Sequence, residues 1–209
     1  MLAVGRLVHV SGEIDKPRAL LEELCPVHPE ETDVAWRQVW LAGDALLEMG
    51  RHRVRDSAAG RALDVRVRQR LVALLRAGRL RPVECAAVGD TLARLDDPRF
   101  RADAWYLPDE RLLGFVEIPV GPFRMGSNKR RDPLAFDDEM PQHVLNLPRY
   151  YIARYPVTVA QFQKFIEATS HAWEHAERPQ GQSNHPVVYV TWYDALAYCR
   201  WLTGCLRGV

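Results

Sequence analysis

Lysine and cysteine are both scarce in this 209-residue sequence. Lysine accounts for three of the 28 basic residues, so the basic side chains are almost all arginine, a bias that indicates a GC-rich genome more than a binding surface. The four cysteines, at positions 25, 85, 199 and 205, form no CxxC pair, and no histidine pair has zinc-finger spacing. These absences argue against a zinc ribbon and a dithiol redox site, and favour idle thiols in a reducing cytosol.

Long apolar runs and the common catalytic motifs are missing too. No stretch approaches the roughly 18 apolar residues of a membrane helix. Residues 1–10 lack the charged start, apolar core and cleavage site of a signal peptide. The sequence contains no Walker loop, GxSxG elbow, HExxH or GxGxxG. We therefore expect a cytoplasmic protein with no membrane partner.

Charge is concentrated in residues 36–81, where eleven arginines face four carboxylates. Such a block could bind nucleic acid. Aromatic residues hardly interleave with it, and Trp36 and Trp40 have the spacing of a helix core. We favour a solvated arginine face and expect no nucleic-acid partner, with nucleic-acid binding through these helices kept as an alternative.

Apolar spacing predicts three helices, at 36–50, 62–77 and 82–95. Gly43-Asp44-x-Leu46 recurs as Gly89-Asp90-x-Leu92, an offset of 46 residues that is typical of HEAT-like helical pairs. Residues 36–95 are therefore predicted to be a HEAT-like region. Residues 1–35 receive no firm assignment, and the Pro- and Asp-rich segment 96–114 is predicted to be a linker.

From residue 115 onwards the sequence pattern is typical of strands and turns. Residues 115–119 and 123–127 alternate like two strands of a hairpin around Val120-Gly121-Pro122. Further blocks follow in order: Asp138–Val144, Tyr151–Thr158, Gln161–Ile166, and His185–Ala195 through Trp201-Leu202. Together these blocks resemble the N-terminal half of a formylglycine-generating-enzyme (sulfatase-modifying-factor) domain over residues 115–209. Val159 departs from the pattern, since the family commonly has Asn there.

The resemblance implies an α+β protein, in which the helical region precedes a truncated, C-type-lectin-like mixed α/β domain. It also implies an oxidase that converts a sulfatase cysteine to formylglycine, using copper held by two cysteines. Those cysteines, and the family's calcium sites, would lie beyond residue 209. We therefore predict no catalytic, cofactor-binding or metal-ligating residue in this chain, and Cys199 corresponds to a packing position.

Two polar clusters could still carry chemistry. Asp137-Asp138-Glu139 with His143 could bind a metal or shuttle a proton, but in the family this stretch is a fold signature, and structural hydrogen bonds are favoured for the histidine. His171, His175 and His185 could hold a metal if the first two shared a helix, whereas their segment is predicted to be a loop. The basic run 129–131 is predicted to be a solvated surface.

Two helices receive predicted N-caps. Thr158 is predicted to cap a helix over 159–168, and Thr191 to cap the next helix with Asp194 at its third position. A stripe on that last helix is predicted from Trp192, Leu196, Cys199 and Leu202, and Tyr198 and Trp201 are predicted to widen its apolar surface. Because a half-domain cannot cover its own apolar surface, the sequence predicts exposure at Val187, Val188, Trp192, Leu196 and Trp201.

The resulting functional expectation is a non-catalytic binding or effector module of a bacterial signalling protein. Its expected partner is a protein or the missing C-terminal half. One alternative is half of a split formylglycine-generating oxidase, and the other is the nucleic-acid binding described above.

Overall fold

The computed structural model describes residues 2–10, 14–28, 30–173 and 181–207, without the side chains of residues 2 and 3. The fold is α+β. Two compact units are distinguished: Met1–Asp109 with Val157–Val209, and Glu110–Pro156. Within the described ranges, no helix is both long and apolar enough to cross a bilayer.

The first unit is mainly helical. Its helices are α1 (Leu2–Gly5), α2 (Asp15–Leu24), α3 (Asp33–Met49), α4 (Arg51–Val54), α5 (Ala58–Arg76), α6 (Pro82–Arg94), α7 (Val159–Thr169) and α8 (Trp192–Arg207). A π-helical turn, Arg6–Val10, follows α1, and two short strands, β1 (Phe100–Arg101) and β2 (Leu107–Pro108), pair antiparallel after α6. The segment 96–114 therefore contains regular structure, while the domain boundary at 115 stays a prediction.

The helices predicted from spacing are present, with ends shifted by a few residues. Gly50 ends α3 with φ +79°, a conformation that glycine adopts without steric cost. Pro82 opens α6, where its missing N–H has no partner to lose. Thr32 and Ser57 cap α3 and α5 with their side-chain oxygens.

The core of the helical region is formed by α2, α3, α5 and α6 with the first residues of the chain. Its fully buried side chains include Leu21, Val39, Leu46, Met49, Leu63, Val67, Leu71, Leu74, Val88, Leu92 and Leu95. The helices pack closely because Gly43 has no side chain. A Cβ there would lie 2.9 Å from Leu71 Cδ1 and 3.0 Å from Thr91 Cγ2.

The two halves of the predicted repeat have different surroundings. Gly43 packs against α5 and α6, whereas a Cβ on Gly89 would meet nothing within 4 Å. Asp44 accepts a hydrogen bond from Thr91 Oγ1, while Asp90 contacts His185. The structure thus gives the repeat no matching environments, and the HEAT-like assignment stays a prediction.

The second unit contains strands β3 (Phe115–Ile118), β4 (Gly121–Met125), β5 (His143–Leu147) and β6 (Tyr150–Ala153). The predicted hairpin between residues 115–119 and 123–127 is wrong. Instead β3 pairs antiparallel with β6, and β4 pairs antiparallel with β5. Alternation identifies a strand and its faces, but it does not choose the neighbouring strand.

Candidate functional site

The loop from Ser183 to Val187 is fastened to α6 and to the residues just after it. Ser183 Oγ donates to the carbonyl of Ala93 at 2.9 Å. Asn184 Nδ2 lies 2.9 Å from both the Gly89 carbonyl and Asp97 Oδ2. His185 Nε2 lies 2.7 Å from Asp90 Oδ1. These bonds tie the loop to residues about ninety positions earlier in the chain.

The same loop covers the start of α7. Thr158 and Gln161 form a capping box, in which Gln161 Oε1 accepts from the Thr158 amide at 2.8 Å. The next two amides of the helix, those of residues 159 and 160, donate to the carbonyls of His185 and Ser183. The N-terminal amides of α7 are therefore engaged within the protein, and the predicted cap at Thr158 is confirmed.

The start of α8 is held by a second set of polar groups. Asp194 Oδ2 accepts from the amide and hydroxyl of Thr191 at 2.8 and 2.7 Å, and Asp194 Oδ1 lies 2.7 Å from His171 Nε2. The hydrogen bond from His171, followed by those from Thr191, lowers the pKa of Asp194 to about 2. The predicted pairing of Thr191 with Asp194 is confirmed, and the role of His171 was missed.

An aromatic cluster joins α7 to α8. The Phe162 and Phe165 rings lie 5.9 and 5.8 Å from the ring of Tyr198, and Phe165 lies 5.6 Å from Trp201. Phe162, Phe165, Tyr198 and Leu202 are buried. The predicted apolar stripe on α8 is therefore wrong in part. Trp192 and Cys199 are exposed, whereas Leu202 and Tyr198, which was predicted to widen the stripe, are buried.

An exposed apolar patch precedes and begins α8. We call Val188, Tyr189, Trp192 and Tyr193 the aromatic surface; their exposed fractions are 58%, 74%, 69% and 76%. Exposure was predicted correctly for Val188 and Trp192. The other residues predicted to be exposed, Val187, Leu196 and Trp201, are half-buried.

Tyr189 and Tyr193 were missed as members of the aromatic surface. Tyr189 has φ +56°, in the left-handed region, and its carbonyl accepts from Trp173 Nε1 at 3.3 Å. The rings of Trp192 and Tyr193 meet edge to face at 5.2 Å. The run of three aromatics between residues 189 and 193 was the available signal.

The acidic stretch Asp137-Asp138-Glu139 does not converge on His143. Asp137 pairs with Lys129, Glu139 accepts from Ser127 Oγ at 3.0 Å, and His143 Nδ1 lies 2.9 Å from the Pro141 carbonyl. Each of these groups has a local structural partner. The structural reading of this stretch therefore agrees with the contacts.

The histidine set is not brought together either. His171 contacts Asp194 and His185 contacts Asp90, while His175 lies outside the described residues. Among the residues that are described, no group of three His, Cys, Asp or Glu side chains could hold a metal ion. Cys199 and Cys205 lie six apart on α8, on different faces and about 9 Å apart along the axis, so they do not fit a two-cysteine copper site.

A polar cleft of about 540 Å³ lies between α7, the loop at 183–184 and the residues after α6. Its charged groups are already engaged: Asp97 with Arg99 and Asn184, and Lys164 with Glu167. The charged groups of the cleft are therefore paired within the protein, and we assign the cleft no ligand.

Within the described residues, these contacts define an α+β fold in which the polar groups discussed above have partners inside the protein. Residues 105–205 match the family model described as "Sulfatase-modifying factor enzyme 1-like domain". The chain thus carries a domain of the sulfatase-modifying-factor family. The matched range begins ten residues before the predicted boundary at 115.

Several curated relatives are similar to part of this chain. A formylglycine-generating enzyme of Thermomonospora curvata is 31% identical, over 45% of this chain and 45% of its own length. The mouse formylglycine-generating enzyme is 28% identical, over 43% and 36%. The serine/threonine-protein kinase Pkn1 of Chlamydia trachomatis is 31% identical, over 46% and 18%. The chain spans less than half the length of each of these relatives.

Proposed function

We propose that this chain is a protein-recognition module of sulfatase-modifying-factor type that does not by itself convert cysteine to formylglycine. The observation that carries the proposal is the aromatic surface. Tyrosine and tryptophan contribute most of the binding energy at many protein interfaces. Here Tyr189, Trp192 and Tyr193 are 69–76% exposed, just before α8 and in its first turn.

The surroundings of the aromatic surface favour a preformed site. Asp194, His171 and Thr191 fix the first turn of α8, and Trp173 holds the backbone of Tyr189. A surface that is ordered before binding loses less conformational entropy when a partner arrives. This order supports recognition by the aromatic surface.

We propose that the binding partner of the aromatic surface is a polypeptide. This polypeptide would carry the parts of a sulfatase-modifying-factor domain that lie outside the matched residues 105–205. The aromatic surface belongs to the matched range, and the formylglycine-generating enzymes that are similar to this chain are more than twice as long as their aligned parts. Apolar segments of the same domain are the partners whose shape and chemistry suit it. A second copy of this chain is the competing occupant that the experiment must exclude.

The proposed setting is the bacterial cytoplasm, within a signalling system. The similarity to a bacterial serine/threonine-protein kinase supports this setting. The HEAT-like description of residues 36–95 and the lectin-like description of residues 115–209 belong to the same proposal.

The second candidate function is half of a split formylglycine-generating oxidase. Its support is that several relatives bear the name formylglycine-generating enzyme. In that case the partner polypeptide would supply the copper-binding cysteines, because the cysteines of α8 do not fit that role. The two candidates differ in whether the assembled complex turns over a cysteine-containing substrate.

Docking can be tested by titrating the labelled chain with the part of the Thermomonospora curvata enzyme that lies outside the alignment. We expect saturable binding of one fragment per chain, weakened about tenfold or more by the double change Trp192→Ser and Tyr193→Ser. Val83→Ser removes an apolar side chain that is 80% exposed on α6 and serves as the matched control. Absence of binding, or self-association that blocks it, would refute the proposed occupant.

Turnover separates the two candidate functions. A cysteine-containing sulfatase peptide is incubated with copper and oxygen in two reactions, one containing the chain alone and the other containing the complex. Formylglycine is measured in both by mass spectrometry. We expect none with the chain alone. Formylglycine from the complex selects the split oxidase, and formylglycine from the isolated chain overturns the recognition proposal.

A further inference from the structure

One side of α5 lines a shallow groove of about 590 Å³ on the helical region. Two neighbouring ridges of the helix form it, one from Arg61, Val65 and Gln69, the other from Ala62, Arg66 and Arg70, each with a spacing of four residues. Val27, from the segment after α2, lies opposite them. We call this set of seven residues the arginine groove.

Within the described residues, the positive charge of the arginine groove is not compensated by a carboxylate within 4.0 Å. Five of the eleven arginines in residues 36–81 lie within 4.0 Å of a carboxylate. Arg61, Arg66 and Arg70 have no such carboxylate in the part of the chain that is described. Three guanidinium groups therefore share one helix side without a counter-charge, which attracts an anionic partner.

The three arginines are held in place by neutral groups. Arg66 Nε donates to the Cys25 carbonyl at 2.8 Å, and Arg61 donates to the Arg55 carbonyl at 3.1 Å. The guanidinium carbon of Arg70 lies 5.4 Å from the centre of the Trp36 ring. These contacts restrain the side chains without neutralising them, so less entropy is lost when a carboxylate binds.

Exposed aliphatic side chains stand between the cations. Val65 is 42% exposed within its ridge, and Val27 is 66% exposed across the groove. Nucleic-acid surfaces commonly add stacking aromatics to their cations, and the arginine groove is lined by none. Exposed valine side chains next to arginines are complementary to a ligand that has both carboxylates and aliphatic side chains.

We propose that the arginine groove binds an acidic polypeptide segment that carries aliphatic side chains. Its carboxylates pair with Arg61, Arg66 and Arg70, and its apolar residues cover Val27 and Val65. The inference does not rest on the function proposed for the aromatic surface, because the groove is formed by residues outside the matched range 105–205.

The test uses the full chain and a fluorescent synthetic peptide of alternating Glu-Glu and Leu-Leu pairs, followed by fluorescence anisotropy. We expect Arg61→Glu to weaken binding about tenfold and Val65→Ser to weaken it severalfold. Arg53→Glu makes the same charge change at an exposed α4 residue outside the groove, and we expect it to change the affinity less than twofold. A peptide with Gln for Glu should not bind.

Other results would overturn the proposal. Equal weakening by Arg61→Glu and Arg53→Glu would mean non-specific attraction to net charge. Tighter binding of a DNA duplex of equal charge, insensitive to Val65→Ser, would assign the groove to nucleic acid. The proposal also fails if the unsubstituted chain, folded as judged by normal thermal unfolding, shows no saturable binding of the peptide.

Discussion

Asp64 is the buried charge on which the helical region depends. Its side chain is 1% exposed, and Arg51 Nε and Arg68 Nη2 lie 2.7 and 3.2 Å from its carboxylate oxygens. Burial lowers the pKa of Arg68, because the charged guanidinium is partly removed from water. A carboxylate at this position compensates two partly buried guanidinium groups at once.

Replacing Asp64 by Ala should therefore destabilise the chain strongly. Two half-buried cations would lose their partner, and removing one member of a buried ion pair costs about 3–5 kcal/mol. We expect a loss of that order in the free energy of unfolding, measured by urea denaturation. The exposed pair of Asp15 with Arg18 is the control, since Asp15→Ala should cost less than about 1 kcal/mol. Equal losses in the two variants would contradict this view of Asp64.

Gly126 shows how a single residue explains part of the family pattern. It has φ +81°, and a Cβ there would lie 2.7 Å from the Glu139 carbonyl and 2.8 Å from the Pro141 carbonyl. A close backbone approach thus requires glycine at position 126. Residues 123–127 were part of the family resemblance, but the approach of residues 139–141 to Gly126 became visible only in the fold.

At the scale of elements, α7 is stabilised by a cap that reaches beyond the helix. Thr158 Oγ1 accepts from the Gln161 amide, and Gln161 Nε2 donates to the Tyr106 carbonyl at 2.9 Å. Thr158 and Gln161 are 6% and 5% exposed. The cap therefore connects the helix to the segment after α6.

Thr158→Ala should lower the free energy of unfolding by about 1 kcal/mol, because the cap acceptor is lost. Thr158→Ser keeps the hydroxyl and should recover most of the loss. Both are compared by chemical denaturation followed by circular dichroism. A serine variant as unstable as the alanine variant would show that the methyl group, and not the cap, matters at this position.

The hydrogen bonds of Asp194 at the start of α8 should make the free energy of unfolding depend on pH in the acidic range. The hydrogen bond from His171 lowers the pKa of Asp194 to about 2. A carboxyl whose pKa is lower in the folded state contributes stability that is complete above its unfolded pKa and lost as the pH falls. The loss should therefore occur between about pH 4 and pH 2.

Asp194→Asn tests this dependence. The variant should be less stable than the original chain at neutral pH, and the difference should shrink as the pH falls from about 4 to about 2. Denaturation midpoints measured at several pH values give the comparison. A constant difference across this range would show that ionised Asp194 contributes nothing specific.

Local sequence signals predicted the helices well and the strand partners poorly. Periodicity and caps located α3, α5, α6 and α7, since these depend on neighbours within four residues. Strand partners depend on long-range geometry, so the pairing of β3 with β6 was not visible. The buried face of α8 was predicted in part: Tyr198 and Leu202 are buried, whereas Trp192, in the first turn of the helix, is exposed.

At the scale of the molecule, the family was predictable and the joining of its parts was not. Five ordered blocks were sufficient to recognise a sulfatase-modifying-factor domain. The bonds from Ser183, Asn184 and His185 to α6 and Asp97 span about ninety residues, and no spacing rule relates such positions. They place the helical region and α7 in one compact unit, although the sequence suggested a linker between them.

The two proposed surfaces lie in different parts of the sequence and differ in chemistry. The aromatic surface is apolar and lies within the matched residues, whereas the arginine groove is cationic and lies before them. Salt should therefore weaken binding at the groove far more than binding at the aromatic surface.

Hydrogen exchange of the chain with and without the Thermomonospora curvata fragment tests the central claim most directly. Docking on the aromatic surface should slow exchange of the backbone amides in residues 188–193, while the amides of α5 beside the arginine groove should keep their rates. Unchanged exchange at residues 188–193 in a chain that has bound the fragment would contradict the claim that this surface is the recognition site.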